Sequence, residues 1–139
     1  VTSFSLEYLG QISPSRAAPG LAPGERVSID ERSLWIIKRD ARGVPARFSS
    51  PADRVLQLDD DAVSWGGHCR IWVEQGKCFI QDLGSNNGTW LESSQADQAP
   101  RKARGPIESE PIEPGQLVVI GRCRFRLLAS HGVLGSAAD

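Results

Sequence analysis

Apolar residues along this chain come in short runs that alternate with polar ones, and each run stops at Gly, Pro, Asp or Ser. Alternation with a period of two marks half-buried strands, whereas a helix repeats its apolar positions every three to four residues. The helical period is almost absent. The pattern predicts strands over FSLEYLGQI (4–12), RVSID (26–30), SLWIIKR (33–39), RVLQL (54–58), HCRIWVE (68–74), KCFIQDL (77–83), TWLES (89–93), QLVVIG (116–121) and RFRLLA (124–129). Many short strands separated by turn residues predict an all-β fold, a β sandwich of two mostly antiparallel sheets. In HCRIWVE the alternation sets Cys69, Ile71 and Val73 on one face and Arg70 and Trp72 on the other. EQGK then turns the chain into the next strand, which predicts a hairpin.

Three segments break the pattern. SPSRAAPGLAPGE (13–25) and SSQADQAPRKARGPIESEP (93–111) are rich in Pro, Gly and polar residues and are expected to be flexible loops; HGVLGSAAD (131–139) is expected to be a disordered tail. With 139 residues the chain suffices for one domain with a proper core, expected over 1–130, and two would be cramped. No internal repeat is present. A first residue Val1 and the absence of methionine point to a segment of a longer protein.

Charge narrows the function classes. Sixteen basic residues stand against 17 acidic ones, so a general nucleic-acid or membrane surface is not expected, although a local cationic pocket fits. Cys69, Cys78 and Cys123 form no CxxC pair, which argues against a disulfide framework or a zinc site and for reduced thiols in the nucleus or cytoplasm. No run is long and apolar enough to span a membrane, and the first residues lack a signal pattern. RKAR (101–104) is expected to be a solvated loop rather than a nucleic-acid patch. DDD (59–61) is expected to be a solvated turn, because three consecutive carboxylates cannot converge on one metal. Neither a metal nor a cofactor is implied.

DLGSNNGTWL (82–91) carries more polar groups than a chain reversal needs. Together with LWIIKRD (34–40), VSWGGHCRI (63–71) and IEPGQLVVIG (112–121), it resembles the successive motifs of the forkhead-associated (FHA) domain. Those motifs run apolar-Gly-Arg, Ser-x-x-His, Asp-Leu-Gly-Ser-x-Asn-Gly-Thr and Leu-x-x-Gly-Asp-x-Ile-x-Ile-Gly. The chain departs from them at Lys38, at the extra residue between Ser64 and His68, and at Gln116. The resemblance implies a phosphothreonine-binding sandwich with its recognition loops at one end. Such a module binds a phosphorylated segment of a partner or of its own parent protein and performs no catalysis. Nucleic acid and membrane are not its partners, and the sequence does not fix its oligomeric state.

The resemblance also assigns roles. Arg39, Ser64, Trp65 and Asn86 are expected at the phosphate, Trp65 standing where the family often carries Asn, Lys or Arg. Asn87 is expected to bond the peptide backbone. His68, Gly88 and Thr89 are expected to support the loops, as is Gly84, while Ser85 fits either part. Arg47 is the alternative to Arg39, with Arg42 behind both. A phosphate offers nearly two negative charges and three acceptor oxygens, which suit a guanidinium fork, hydroxyls and amides. Each residue also has a plainer reading, as a surface arginine or an ordinary turn residue. Two rival functions stay open. One is a degenerate scaffold that binds partners, or itself, through a sandwich face without phosphate. The other is a small hydrolase using Ser64 or Cys69 with His68, for which no acidic orienting group is evident.

Overall fold

The computed structural model describes residues 2–12, 21–38, 54–60, 62–64, 67–93 and 99–131. Among them there is no helix, and eleven strands follow in order: β1 (Thr2–Gln11), β2 (Arg26–Ile29), β3 (Leu34–Lys38), β4 (Arg54–Leu58), β5 (Cys69–Glu74), β6 (Lys77–Asp82), β7 (Thr89–Glu92), β8 (Arg101–Lys102), β9 (Glu110–Ile112), β10 (Leu117–Ile120) and β11 (Cys123–His131). They form a six-stranded sheet in the order β2-β1-β11-β10-β7-β8 and a five-stranded sheet in the order β4-β3-β5-β6-β9. Every recorded pairing is antiparallel except β3 with β4. A parallel pair needs a long crossover, and residues 39–53 provide the length. The all-β sandwich read from the alternation is the observed fold.

The inner faces make one core. Leu6, Phe125 and Leu127 of one sheet meet Ile36, Ile71 and Ile80 of the other, all fully buried. Each such side chain contributes about 1.5–3 kcal/mol by leaving water. Cys69 and Ile71 point inward and Arg70 and Trp72 outward, as the alternation predicts. The β5–β6 hairpin turns on Gln75 (φ 51°) and Gly76 (φ 77°), between the paired residues Glu74 and Lys77. Positive φ at both central residues matches the right-handed twist of the flanking strands, which is why glycine stands there. The outer face of the five-stranded sheet carries an aromatic ladder. The Arg70 guanidinium lies 4.2 Å from the Trp72 ring centre and 5.7 Å from that of Trp35, and Trp72 stacks on Phe79 at 5.9 Å.

Two sequence expectations need correction. The stretch 93–111 is not simply a polar loop: β8 adds to β7 (Trp90 opposite Lys102), and β9 adds to β6 (Ile80 opposite Glu110). Two of its charges form an internal tie, Arg101 with Glu110. Glu110 is buried, and its carboxylate accepts from Arg101 Nη1 at 3.0 Å, from Arg101 Nη2 and from the Arg104 N–H at 2.9 Å. Burial pushes the Glu110 carboxyl upward, but the Arg101 guanidinium and the Arg104 N–H outweigh it and hold the group below its ordinary value. Ala103 N–H donates to Thr89 O at 2.8 Å, so the backbone of RKAR is tied to the sheet while Arg101, Lys102 and Arg104 stay exposed, as expected of a solvated segment. The DDD turn is the second correction. Asp60 is fully buried, for reasons given below.

Of the segment 13–25, residues 21–25 are described, with Gly24 N–H donating to Tyr8 O at 2.8 Å. Residues 13–20 and 132–139 lie outside the described residues, whereas His131 belongs to β11. All three cysteines are buried free thiols, and burial pushes those of Cys78 and Cys123 up to about 12.

Candidate functional site

Cys69 begins β5 opposite Asp82, which ends β6, and Thr89 begins β7 opposite Ile120, which ends β10. The connections 59–68 and 83–88 and the turn at Gly121–Arg122 therefore leave the sandwich from one end. β3 ends there too, because the Lys38 N–H donates to Ser64 O at 3.1 Å.

His68 joins the first two connections. Its Nδ1 accepts from the Ser64 N–H at 3.0 Å, so its proton is on Nε2, which donates to Gly88 O at 2.9 Å. The ring is fully buried, and burial lowers its pKa against the raising influence of the Gly88 carbonyl and the Asp82 and Asp60 carboxylates. Neutral imidazole is the form that makes both bonds. The ring thus meets the backbone of Ser64 and not its hydroxyl, and no nucleophile–base pair forms between them. Cys69 beside it is fully buried, and burial raises its thiol pKa.

The hydroxyl of Ser64 is turned to the second connection, where it accepts the Asn86 N–H at 3.1 Å. That bond uses a lone pair and leaves the O–H available as a donor. Asn86 is exposed, and its side-chain amide makes no bond among the described residues. Asn87 ties the loops a second time, its Nδ2 donating to Ala62 O at 2.9 Å, while its own carbonyl accepts from Trp90 Nε1 at 3.0 Å. One amide hydrogen and the Oδ1 of Asn87 remain for a ligand.

Two carboxylates hold the loops in shape; the sequence did not single out Asp82 and offered Asp60 only as part of a solvated turn. Asp82 Oδ2 accepts from the N–H groups of Gly84 and Ser85 at 3.0 and 3.1 Å, and its Oδ1 from the hydroxyls of Ser85 and Thr89 at 2.6 and 2.8 Å. Ser85 and Thr89 therefore serve the loop. A carboxylate followed by hydroxyl residues three and seven positions later was the available signal. Asp60 Oδ1 accepts from Ala62 N–H at 2.8 Å, and its Oδ2 from Arg122 N–H at 3.0 Å and the Cys123 thiol at 3.4 Å. Its partners at 122 and 123 come from a distant turn, so no local signal marked it. That turn approaches closely: Gly121 has φ +62°, and a Cβ there would lie 2.7 Å from Val63 Cγ2.

Of the expected site residues, the structure brings together Ser64, His68, Asn86, Asn87, Gly88 and Thr89. Arg39, Trp65 and Arg47 lie outside the described residues, and Arg39 directly follows Lys38 at the end of β3. Two clefts of about 300 and 470 Å³ lie at the opposite end, both lined by Gly76 of the β5–β6 turn. Among the described residues no His, Cys, Asp and Glu cluster is arranged to hold a metal ion, and no helix is long and apolar enough to cross a membrane.

The fold is a two-sheet β sandwich whose loops at one rim are braced by a histidine, and sequence comparison names its family. The FHA domain model matches residues 47–121, more than half of the chain, which belongs to the FHA domain family. The FHA domain-containing protein FhaB of Mycobacterium tuberculosis is 28% identical over 100 residues, covering 72% of this chain and 54% of FhaB. The chain thus spans about half the length of the curated relatives it matches. Solved structures agree on the fold. The FHA domain of the CT664 protein from Chlamydia trachomatis superposes with a TM-score of 0.58 at 21% identity, covering 91% of this chain and 96% of that one. An FHA domain studied for its phosphothreonine-dependent interactions superposes with a TM-score of 0.55 at 19% identity, covering 94% and 99%.

Proposed function

We propose that this FHA domain is a phosphothreonine-dependent protein–protein interaction module, acting as a single unit on a phosphorylated segment of a partner or of its parent protein. The bond from the Asn86 N–H to the Ser64 hydroxyl carries this reading, because it leaves a donor and a side-chain amide side by side on two loops already locked by His68. Donors fixed before binding lose little entropy when an anion arrives. In this reading Arg39, Ser64, Trp65 and Asn86 contact the phosphate and Asn87 the peptide backbone. The Lys38–Ser64 backbone bond supports Arg39 over Arg47, since it sets Lys38, the residue before Arg39 in sequence, beside Ser64. No step of catalysis is assigned: the buried neutral His68 spends both ring nitrogens on backbone groups. Phosphothreonine dependence in a domain of the same fold supports the ligand class. The three free thiols support a location in the nucleus or cytoplasm.

Fluorescence anisotropy with degenerate phosphothreonine, phosphoserine and unphosphorylated peptide pools tests the proposal. The phosphothreonine pool binds wild type, and Arg39→Ala and Ser64→Ala each lose that binding. Equal binding of the unphosphorylated pool overturns it. Loss in Arg47→Ala but not in Arg39→Ala moves the guanidinium to position 47.

The aromatic ladder of Trp35, Arg70, Trp72 and Phe79 favours a second reading, phosphate-independent association through the sheet face. Its mark is partner binding abolished by Trp72→Ala and indifferent to Ser64→Ala.

A further inference from the structure

We infer that Lys102, set against Trp90 and Gly88, forms a subsite for an acidic side chain flanking the phosphothreonine. The inference rests on the recognition reading above and adds to it a cation contributed by β8.

The position of Lys102 is built. Strand β8 is held by its pairing with β7, by the Ala103 N–H to Thr89 O bond at 2.8 Å, by the Asp82 N–H to Arg104 O bond at 2.9 Å and by the Arg101–Glu110 ion pair. Lys102 stands opposite Trp90, on the outward face of the sheet, while Leu91 faces the core. The lysine stem crosses the recognition loop: a Cβ at Gly88 would lie 2.7 Å from Lys102 Cε and 3.2 Å from Trp90 Nε1. Glycine at 88, with φ +79°, is what lets the stem pass. The ammonium lies 6.0 Å from the Trp90 ring centre, within cation–π range, and Trp90 is tied to the loop by its bond to Asn87 O.

Among the described residues no carboxylate lies within 4.0 Å of the Lys102 ammonium. Of its neighbours, Arg101 spends its guanidinium on Glu110, whereas Arg104 meets Glu110 through its backbone N–H. Lys102 is the cation of this segment that lies against the loop, at Gly88 and Trp90. Ser64 meets the loop at Asn86, whereas Lys102 meets it at Gly88, on the far side of Asn87. A backbone held at Asn87 carries its neighbouring side chains across Gly88 and Trp90 toward this ammonium. A carboxylate there gains a charge pair that is partly shielded by the indole, and the attraction weakens with salt.

The test uses three phosphothreonine peptide series in which Asp, Ala or Lys is walked through the positions on both sides of the phosphothreonine. Titrations run at low and at physiological salt. Wild type prefers Asp over Ala at one flank position by about two- to fivefold, the range of an exposed ion pair. Lys102→Gln removes the preference and Lys102→Glu reverses it toward Lys. Lys77→Glu, at the opposite end of the sandwich, keeps the wild-type ratio. Binding to wild type that ignores flank charge, or a preference that survives Lys102→Glu, overturns the subsite while leaving phosphothreonine recognition intact. Failure of every phosphothreonine peptide to bind wild type overturns both.

Discussion

The Asn86 N–H donates to the hydroxyl of Ser64 at 3.1 Å, although the two residues stand 22 positions apart on different connections. The contact occupies one lone pair of the hydroxyl and leaves its O–H free to donate. Ser64→Ala removes that donor. A hydrogen bond to a charged group contributes about 1.5–3 kcal/mol, so phosphothreonine-peptide affinity is expected to fall about ten- to a hundredfold by calorimetry. Folded stability changes by about 1 kcal/mol or less, because the exposed Asn86 N–H is left to water.

His68 predicts a pH dependence of folding. Its folded pKa lies below the ordinary value, so the unfolded chain takes up the proton first as the solution is acidified. The stability that His68 contributes is fully present above the unfolded pKa, about 6.5, and is lost as pH falls below it, no faster than about 1.4 kcal/mol per pH unit. Urea denaturation of wild type and His68→Gln at a series of pH values is expected to show this slope in wild type and lose it in the variant.

Asp60 meets three donors on two connections without exposing its carboxylate. Asp60→Asn keeps the shape but turns an NH2 group toward one of those donors. A cost of about 2–3 kcal/mol is expected in chemical denaturation. In amide exchange, the protection of Ala62 and Arg122 falls together.

Gly121→Ala places a methyl group against Val63 at a backbone conformation that L residues avoid. The expected cost is about 1–3 kcal/mol in thermal or urea unfolding. Because Val63 precedes Ser64, peptide affinity falls with it. Gly115→Ala also has positive φ, at +93°, but has no atom within 4 Å of its Cβ, and it is expected to lose stability without the loss of affinity.

Much of the fold was legible because half-buried strands alternate along the chain, as Cys69 to Glu74 do, and because Gln75–Gly76 is a two-residue reversal. The loop 82–89 was legible because its hydroxyls, amides and glycines exceed what a turn uses. Strands β8 and β9 were not legible. Two residues of β8 are too few to display a period, and Arg101 and Glu110 look solvated until the fold brings them together. The burial of Asp60 was equally hidden, since it depends on donors at Arg122 and Cys123. Lys102 could not be related to Gly88 from spacing alone.

The measurement closest to the central claim is a titration of the ¹⁵N-labelled domain with one phosphothreonine peptide and its unphosphorylated twin, followed by amide NMR. Saturable shifts are expected at Ser64, Asn86 and Asn87 and at the Arg39 side chain, with the core amides of β5 and β6 unmoved and the twin producing none. Shifts centred on Trp72 and Phe79 or around Gly76, or equal shifts from both peptides, contradict it.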